Sequence, residues 1–283
     1  MKIVLGMDGS KYGRWAAEWV ARMPFDTPPR VTAVHVVDLA SLRAPMVIQP
    51  LGAIGPLVQA EARRLQARAK RVVAETKTLL SSLDLQEKVI TEKGAIAPTI
   101  LKHVAGRGDL LVVGARGLDA LDRFMLGSIS TKVTLHAPCS VLVVKQPPRP
   151  IRRILLATDG SKWSDKALKF LLQKLQPDGP SETDKVEVLV MHVLPSFAHT
   201  VAGVMGTRLV HRYAERLAKA GYRMREMARS GHVADEIVKA ADRQKTDLIV
   251  VGARGLGAGA RFFLGSVSTR VVQHSSCSVL VVR

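Results

Sequence analysis

Two stretches of this sequence pair glycine with serine in a spacing suited to holding an anion. From Gly114 the chain reads GARGLDALDRFMLGSIS, and from Gly252 it reads GARGLGAGARFFLGSVS. Both keep the pattern G-x-x-G-x9-G-S, so Gly114, Gly117, Gly127 and Ser128 fall in register with Gly252, Gly255, Gly265 and Ser266. Each follows an apolar run, DLLVVG or DLIVVG, and so reads as a turn leaving a strand, a loop, and a helix that starts at a Gly-Ser step. Glycine lets the main chain approach a ligand with no β-carbon in the way. A helix start adds unpaired N–H groups and the positive end of the helix dipole. Ser128 and Ser266 either add a hydroxyl to that donor set or cap the helix. The stretch is a phosphate cradle, present twice.

A carboxylate belongs with each cradle. The run KIVLGM ends in Asp8-Gly9-Ser10, and ILLATDGS repeats it with Asp159 in the place of Asp8. Asp is also a preferred helix cap, so both roles are open for these two residues. Arg116 and Arg254 lie in the cradles and Arg123 and Arg261 in the nine-residue loops, placed either to neutralise phosphate or as ordinary surface cations. His35 and His192, inside apolar strands, read as core histidines with a satisfied ring nitrogen. His136 and His274 close the cradle helices, where a cation suits the dipole.

The elements that must position these groups follow from periodicity. In the first half, strands are expected at 2–7, 31–37, 86–91, 109–113 and 140–144. Helices are expected at 14–22, 57–80, 97–104 and 128–136, with a loop over 39–56. The long helix turns Leu65, Ala69, Val72, Thr76 and Leu79 inward. Gln146-Pro147-Pro148-Arg149-Pro150 is a stiff linker, after which the order restarts. A second long helix is expected over 209–228, with Leu209, Tyr213, Leu217, Ala220 and Met224 inward. Two domains result, residues 1–145 and 151–283.

Alternating strands and helices imply an α/β fold with a parallel sheet covered on both faces. With strand order 3-2-1-4-5, strand order reverses between the strand ending in Asp8 and the strand ending in Gly114. That reversal is where such sheets take ligands. The strands SVLVV close both halves as uncovered apolar edges, and pairing them within the chain removes that liability.

Composition narrows the classes. No apolar run approaches the ~20 residues of a membrane helix, and MKIVLGMDGS is too short and too interrupted for a signal peptide. Cys139 and Cys277 sit at equivalent places in apolar strands and read as small buried hydrophobes of a reducing, cytoplasmic protein. A net charge of +18 attracts anions generally, nucleic acid and anionic lipid included. The basic helices around 63–77 and 208–229 lack the interleaved aromatics of a base-stacking platform and read as solvated faces. No Walker P-loop, nucleophile elbow or metal-spaced His/Cys set occurs.

The Asp-Gly step after the first strand, the duplicated cradle and the CSVLVV ending together resemble the universal stress protein family, in each half separately. The resemblance implies two tandem open five-stranded domains, adenine nucleotide alpha hydrolase-like and Rossmann-like with order 3-2-1-4-5, packed as a pseudo-dimer. It also implies the ATP-binding branch, with ATP, ADP or AMP as ligand and Mg2+ as its companion ion. Carried onto this chain, Asp8 and Asp159 lie beside the adenosine, Val36 and Val193 pack on adenine, and Gly114 and Gly252 approach the ribose. Gly117, Gly127, Ser128 and Ser130 hold the phosphates in the first half, as Gly255, Gly265, Ser266 and Ser268 do in the second. The amides of Ile129 and Val267 complete each cradle. A nucleotide-binding regulator of a stress response, reporting to a protein partner and able to form a homodimer, is the expected function. A slow ATP hydrolase and a polyanion-binding scaffold with empty sites remain the alternatives.

Overall fold

The computed structural model describes residues 1–38, 54–85, 87–104, 110–117, 126–177, 185–194, 201–256 and 264–283. The first half runs β1 (Lys2–Gly6), α1 (Lys11–Arg22), β2 (Arg30–Val37), α2 (Ile54–Ser82), β3 (Glu87–Lys93), α3 (Ile96–Lys102), β4 (Leu110–Gly114), α4 (Ser128–His136) and β5 (Ser140–Val144). The second runs β6 (Arg153–Ala157), α5 (Lys162–Lys174), β7 (Glu187–Leu194), α6 (Val201–Ala218), β8 (Arg223–Ser230), α7 (Val233–Arg243), β9 (Leu248–Gly252), α8 (Ser266–His274) and β10 (Ser278–Val282).

All ten strands form one sheet in the order β3-β2-β1-β4-β5-β10-β9-β6-β7-β8. Each half therefore has the expected 3-2-1-4-5 order. Pairing within each half is parallel, while β5 and β10 meet antiparallel with Val279 opposite Val143, Leu280 opposite Leu142 and Val281 opposite Val141. Every residue of those two strands is buried, so the edges foreseen as liabilities cover each other.

The strands bury both faces, which is why they read as continuous apolar runs. Successive residues alternate between two cores: Ile3 and Leu5 face one, Val4 the other. The first core collects Trp19, Leu80, Leu168, Tyr213 and Leu217 from α1, α2, α5 and α6. The second collects Ile100, Val133, Ile237 and Val271 from α3, α4, α7 and α8.

Several boundaries differ from the sequence reading. Helix α2 begins at Ile54, and Pro56 falls in its first turn, where a missing N–H costs no bond; of the expected loop over 39–56, residues 39–53 lie outside the described residues. The helix expected over 209–228 stops at Ala218. Gly221 has φ +94°, a backbone that ends a helix, and Arg223–Ser230 forms β8. Met224 thus packs on the first core from a strand, not from the helix. The strand hid because it lies at the sheet edge and is largely exposed, so it carries arginines where a buried strand would carry valines.

Candidate functional site

The strand order reverses between β1 and β4, and there the two segments singled out in the first half meet. Past β1 the chain turns through Asp8, whose Oδ1 accepts from Ser10 N–H at 2.9 Å. Gly9 takes φ +80° in this turn, and an added β-carbon would lie 2.8 Å from Val72 of α2. The helix cap is Ser10, not Asp8: Ser10 Oγ accepts from Gly13 N–H at 3.1 Å. The second half repeats this, with Ser161 capping α5 and Ser161 N–H donating to Asp159 Oδ1 at 3.0 Å. The aspartate is thus held by the turn without being used up as a cap.

Past β4, Ala115–Gly117 runs beside the start of α4. Gly127 N–H donates to Ala115 O at 2.8 Å, and Thr131 N–H makes the first helical bond to Gly127 O at 2.9 Å. The N–H groups of Ser128, Ile129 and Ser130 accordingly point out of the first turn, with the positive end of the dipole behind them. The N-cap is Gly127, with no side-chain capping bond, so Ser128 does not cap the helix. Ser130 Oγ donates to Gly114 O at 2.7 Å and fastens the helix start to the strand end. In the second half Gly265 caps α8, and Ser268 Oγ donates to Gly252 O at 2.7 Å.

The glycines divide into two kinds. A β-carbon on Gly114 would fall 2.6 Å from Tyr12 backbone carbon, and one on Gly252 would fall 2.7 Å from Trp163 backbone carbon. These two admit the facing helix against the strand. A β-carbon on Gly117 would fall 2.9 Å from Asp8 Oδ2, and one on Gly255 would fall 2.6 Å from Asp159 Oδ2. Those two keep space beside the carboxylate. Gly127 is tight on the loop itself, its β-carbon position lying 3.3 Å from Ala115 O and 3.4 Å from Arg116 Cα.

A cavity of about 480 Å³ opens at the first reversal. Asp8, Val36, Gly114, Gly117, Gly127, Ser128, Ile129 and Ser130 all line it, so the first-half residues that the family resemblance put around the ligand face one space. Sequence reasoning missed Glu61 and Arg68, which line it from α2 beside Leu65. The signal was present: Glu61, Leu65, Arg68, Val72 and Thr76 follow one helical stripe, so the charged residues toward its start continue the line of the residues that it buries further along. His35 also lines the cavity, with its Nδ1 2.8 Å from Met7 O, and His192 Nδ1 stands 2.7 Å from Thr158 O. Both rings are tied to the neighbouring strand end. Arg116 Nη1 donates to Tyr12 Oη at 2.9 Å, and Arg254 stacks over the Trp163 ring at 5.5 Å. Arg123 and Arg261 lie outside the described residues.

In the second half Asp159, Gly252, Gly255, Gly265, Ser266, Val267 and Ser268 occupy the corresponding positions on β6, β9 and α8, and Val193 lies on β7. Asp159 Oδ2 additionally accepts from Leu256 N–H at 3.1 Å, drawing the second loop onto its carboxylate.

The sequence model of the universal stress protein family matches residues 1–145 and again residues 150–283. The chain belongs to the universal stress protein family. A universal stress protein of Mycolicibacterium smegmatis is 29% identical over 303 residues, covering 99% of this chain and 96% of that protein. A universal stress protein structure from Archaeoglobus fulgidus covers 100% of this chain and 98% of its own, with TM-score 0.71 and 20% identity, a likeness of fold. A universal stress protein family structure from Arabidopsis thaliana with AMP bound covers 46% of this chain and 90% of its own, at 22% identity and TM-score 0.36. The family's tandem arrangement is thus present in both sequence and fold. No helix among the described residues is long and apolar enough to cross a membrane.

Proposed function

We propose that this chain binds an adenine nucleotide in the first-half cavity, with the phosphates on the α4 start and the adenosine toward Asp8 and Val36. One observation carries the reading: residues from β1, β2, β4 and α4 converge on a single cavity of about 480 Å³. That volume is in the range of small-ligand sites, roughly 300–1,000 Å³. The walls combine two chemistries. The outward amides of Ser128, Ile129 and Ser130 and the dipole of α4 favour a polyanion. Val36 offers an apolar surface, and the Asp8 carboxylate accepts hydrogen bonds from hydroxyl or amino groups. Arg68 and Arg116 add positive charge at the same cavity. The missing β-carbon at Gly117 keeps space beside Asp8, and the one at Gly127 lets Ala115–Gly117 lie against the α4 start. ATP, with Mg2+ on its phosphates, suits this cradle, as do ADP and AMP.

The second cradle repeats the parts, and we assign it the same ligand class through Asp159, Val193 and the start of α8. The chain then acts as a cytoplasmic nucleotide-binding regulator in which occupancy sets the conformation of the cradle loops for a protein partner. Residues 1–145 and 151–283 are the two binding units. Denaturing the purified protein and identifying released nucleotides by mass spectrometry tests the reading. Bound adenine nucleotide supports it. Protein that carries none and takes up none, while binding DNA or anionic lipid in a salt-sensitive way, refutes it in favour of a polyanion scaffold. Steady phosphate release that disappears on replacing Gly127 and Gly265 assigns turnover in addition.

A further inference from the structure

Lys145 and Arg283 occupy matching places, each directly after the strand that pairs across the seam, β5 or β10. Lys145 N–H donates to Ser278 Oγ at 3.2 Å, and Arg283 N–H donates to Ser140 Oγ at 3.2 Å. Each side chain then crosses to the far end of the other half's cradle helix. Arg283 Nη2 donates to Thr134 O at 2.8 Å and Leu135 O at 3.1 Å, the last turn of α4. Lys145 Nζ donates to Ser275 O at 2.5 Å and reaches Gln273 O at 3.5 Å, the end of α8.

We propose that Arg283 and Lys145 are positioning residues that act crosswise, Arg283 setting the anion affinity of the first cradle and Lys145 that of the second. The proposal rests on the reading that the cradles take the anionic part of a ligand. A helix of nine residues is marginal by itself, so its axis is fixed by what holds its ends. Neither α4 nor α8 has a side-chain bond at its N-cap. At the opposite end a cation sits on the exposed carbonyls, the charge that the dipole favours there. Fixing those carbonyls aims the first-turn amides about six residues away, roughly 9 Å along the axis. The brace is retained against a cost. Arg283 Nε is buried with no hydrogen-bond partner among the described residues, and a buried donor left unpaired is unfavourable. A shorter neutral side chain would avoid that cost, yet both halves place a cation here. The consequence is that neither cradle is complete within its own half.

The test uses the full chain in two single-site backgrounds, Gly265→Val to leave the first cradle and Gly127→Val to leave the second. Arg283→Met and Lys145→Met are placed in each, and ATP affinity is measured by calorimetry. Amide exchange is followed in the ligand-free proteins over 128–136 and 266–274. Arg283→Met weakens ATP at the first cradle about two- to five-fold, the size of one helix-end charge, and speeds exchange in α4 but not α8. Lys145→Met does the converse. Arg283→Gln and Lys145→Gln, which keep a donor but lose the charge, carry the same comparison if a methionine variant does not fold. Effects confined to each residue's own half, equal in both halves, or absent overturn the proposal. Unaltered chain that binds none of ATP, ADP and AMP refutes the nucleotide reading alone, and the brace is then decided by the exchange pattern.

Discussion

Raising the pH across the alkaline range should make one residue, Lys145, contribute more to stability. Burial lowers its pKa from 10.5 to about 8, with the Arg116 guanidinium adding to the shift and the Cys277 thiol opposing it. A lysine whose folded pKa is depressed favours folding least where both states hold the proton, below about 8. Its contribution grows until both have lost it, above 10.5. Between those values the unfolded chain binds more protons, so unfolding free energy rises with pH at up to ~1.4 kcal/mol per pH unit. The whole window corresponds to roughly 3 kcal/mol. Urea unfolding of the unaltered chain and of Lys145→Met, at about pH 7.5 and about pH 9.5, isolates this residue because the other groups cancel in the difference. The unaltered chain should gain about 2 kcal/mol relative to the variant between those points. Cys277 works in the opposite sense: burial pushes its thiol up to about 12, so the unfolded chain loses that proton first and stability falls as pH rises, a contribution that the comparison with Lys145→Met removes. A difference that stays flat or shrinks with pH would show that the ammonium is solvated, and the account of a buried cation at the α8 end would fail.

Three further perturbations separate the parts of the site. Gly127→Val drives a side chain into Ala115 O and Arg116, 3.3 and 3.4 Å from the β-carbon position, so nucleotide released per chain should drop by the first site's share; unchanged stoichiometry by mass spectrometry counts against the cradle. Gly114→Ala meets the Tyr12 backbone at 2.6 Å and should cost about 1–3 kcal/mol in urea unfolding, because main chain cannot move aside as a side-chain tip can; a neutral result would mean that α1 is not packed this closely. Ser130→Ala removes the 2.7 Å bond to Gly114 O and leaves that carbonyl without this donor, a loss of about 1–2 kcal/mol together with weaker nucleotide binding at the first cradle. Calorimetry showing intact affinity in a destabilised Ser130→Ala protein would restrict the hydroxyl to a structural role.

The duplicated glycine pattern made most of the architecture legible. Its two copies carried the tandem plan and the α4 and α8 starts, because Gly-Ser at a helix start and a fully buried strand before it are both strong local signals; the strand order came with the family resemblance. The β8 strand was not legible for the opposite reason. At the edge of the sheet its side chains answer to solvent more than to a core, so RMREMARS carries no period that distinguishes it from the end of α6. The capping role at Asp8 stayed open for a related reason. Asp8 and Ser10 are both good caps, and only the bond from Gly13 N–H to Ser10 Oγ settles which one serves.

The SVLVV edges foretold that the halves pair; what no local pattern could carry is the direction of that pairing. Lys145 and Arg283 each directly follow an SVLVV run, yet in a chain with net charge +18 they look like ordinary basic residues. Their meaning comes from the antiparallel β5–β10 pairing, which places the residue after one strand beside the start of the other. Parallel pairing would have put both residues at the same rim and left the α4 and α8 carbonyls to water. The seam therefore does more than hide two apolar edges: its direction decides that each cradle helix ends on a cation from the other half. That is also why separating the halves, even with both folds intact, should weaken both cradles.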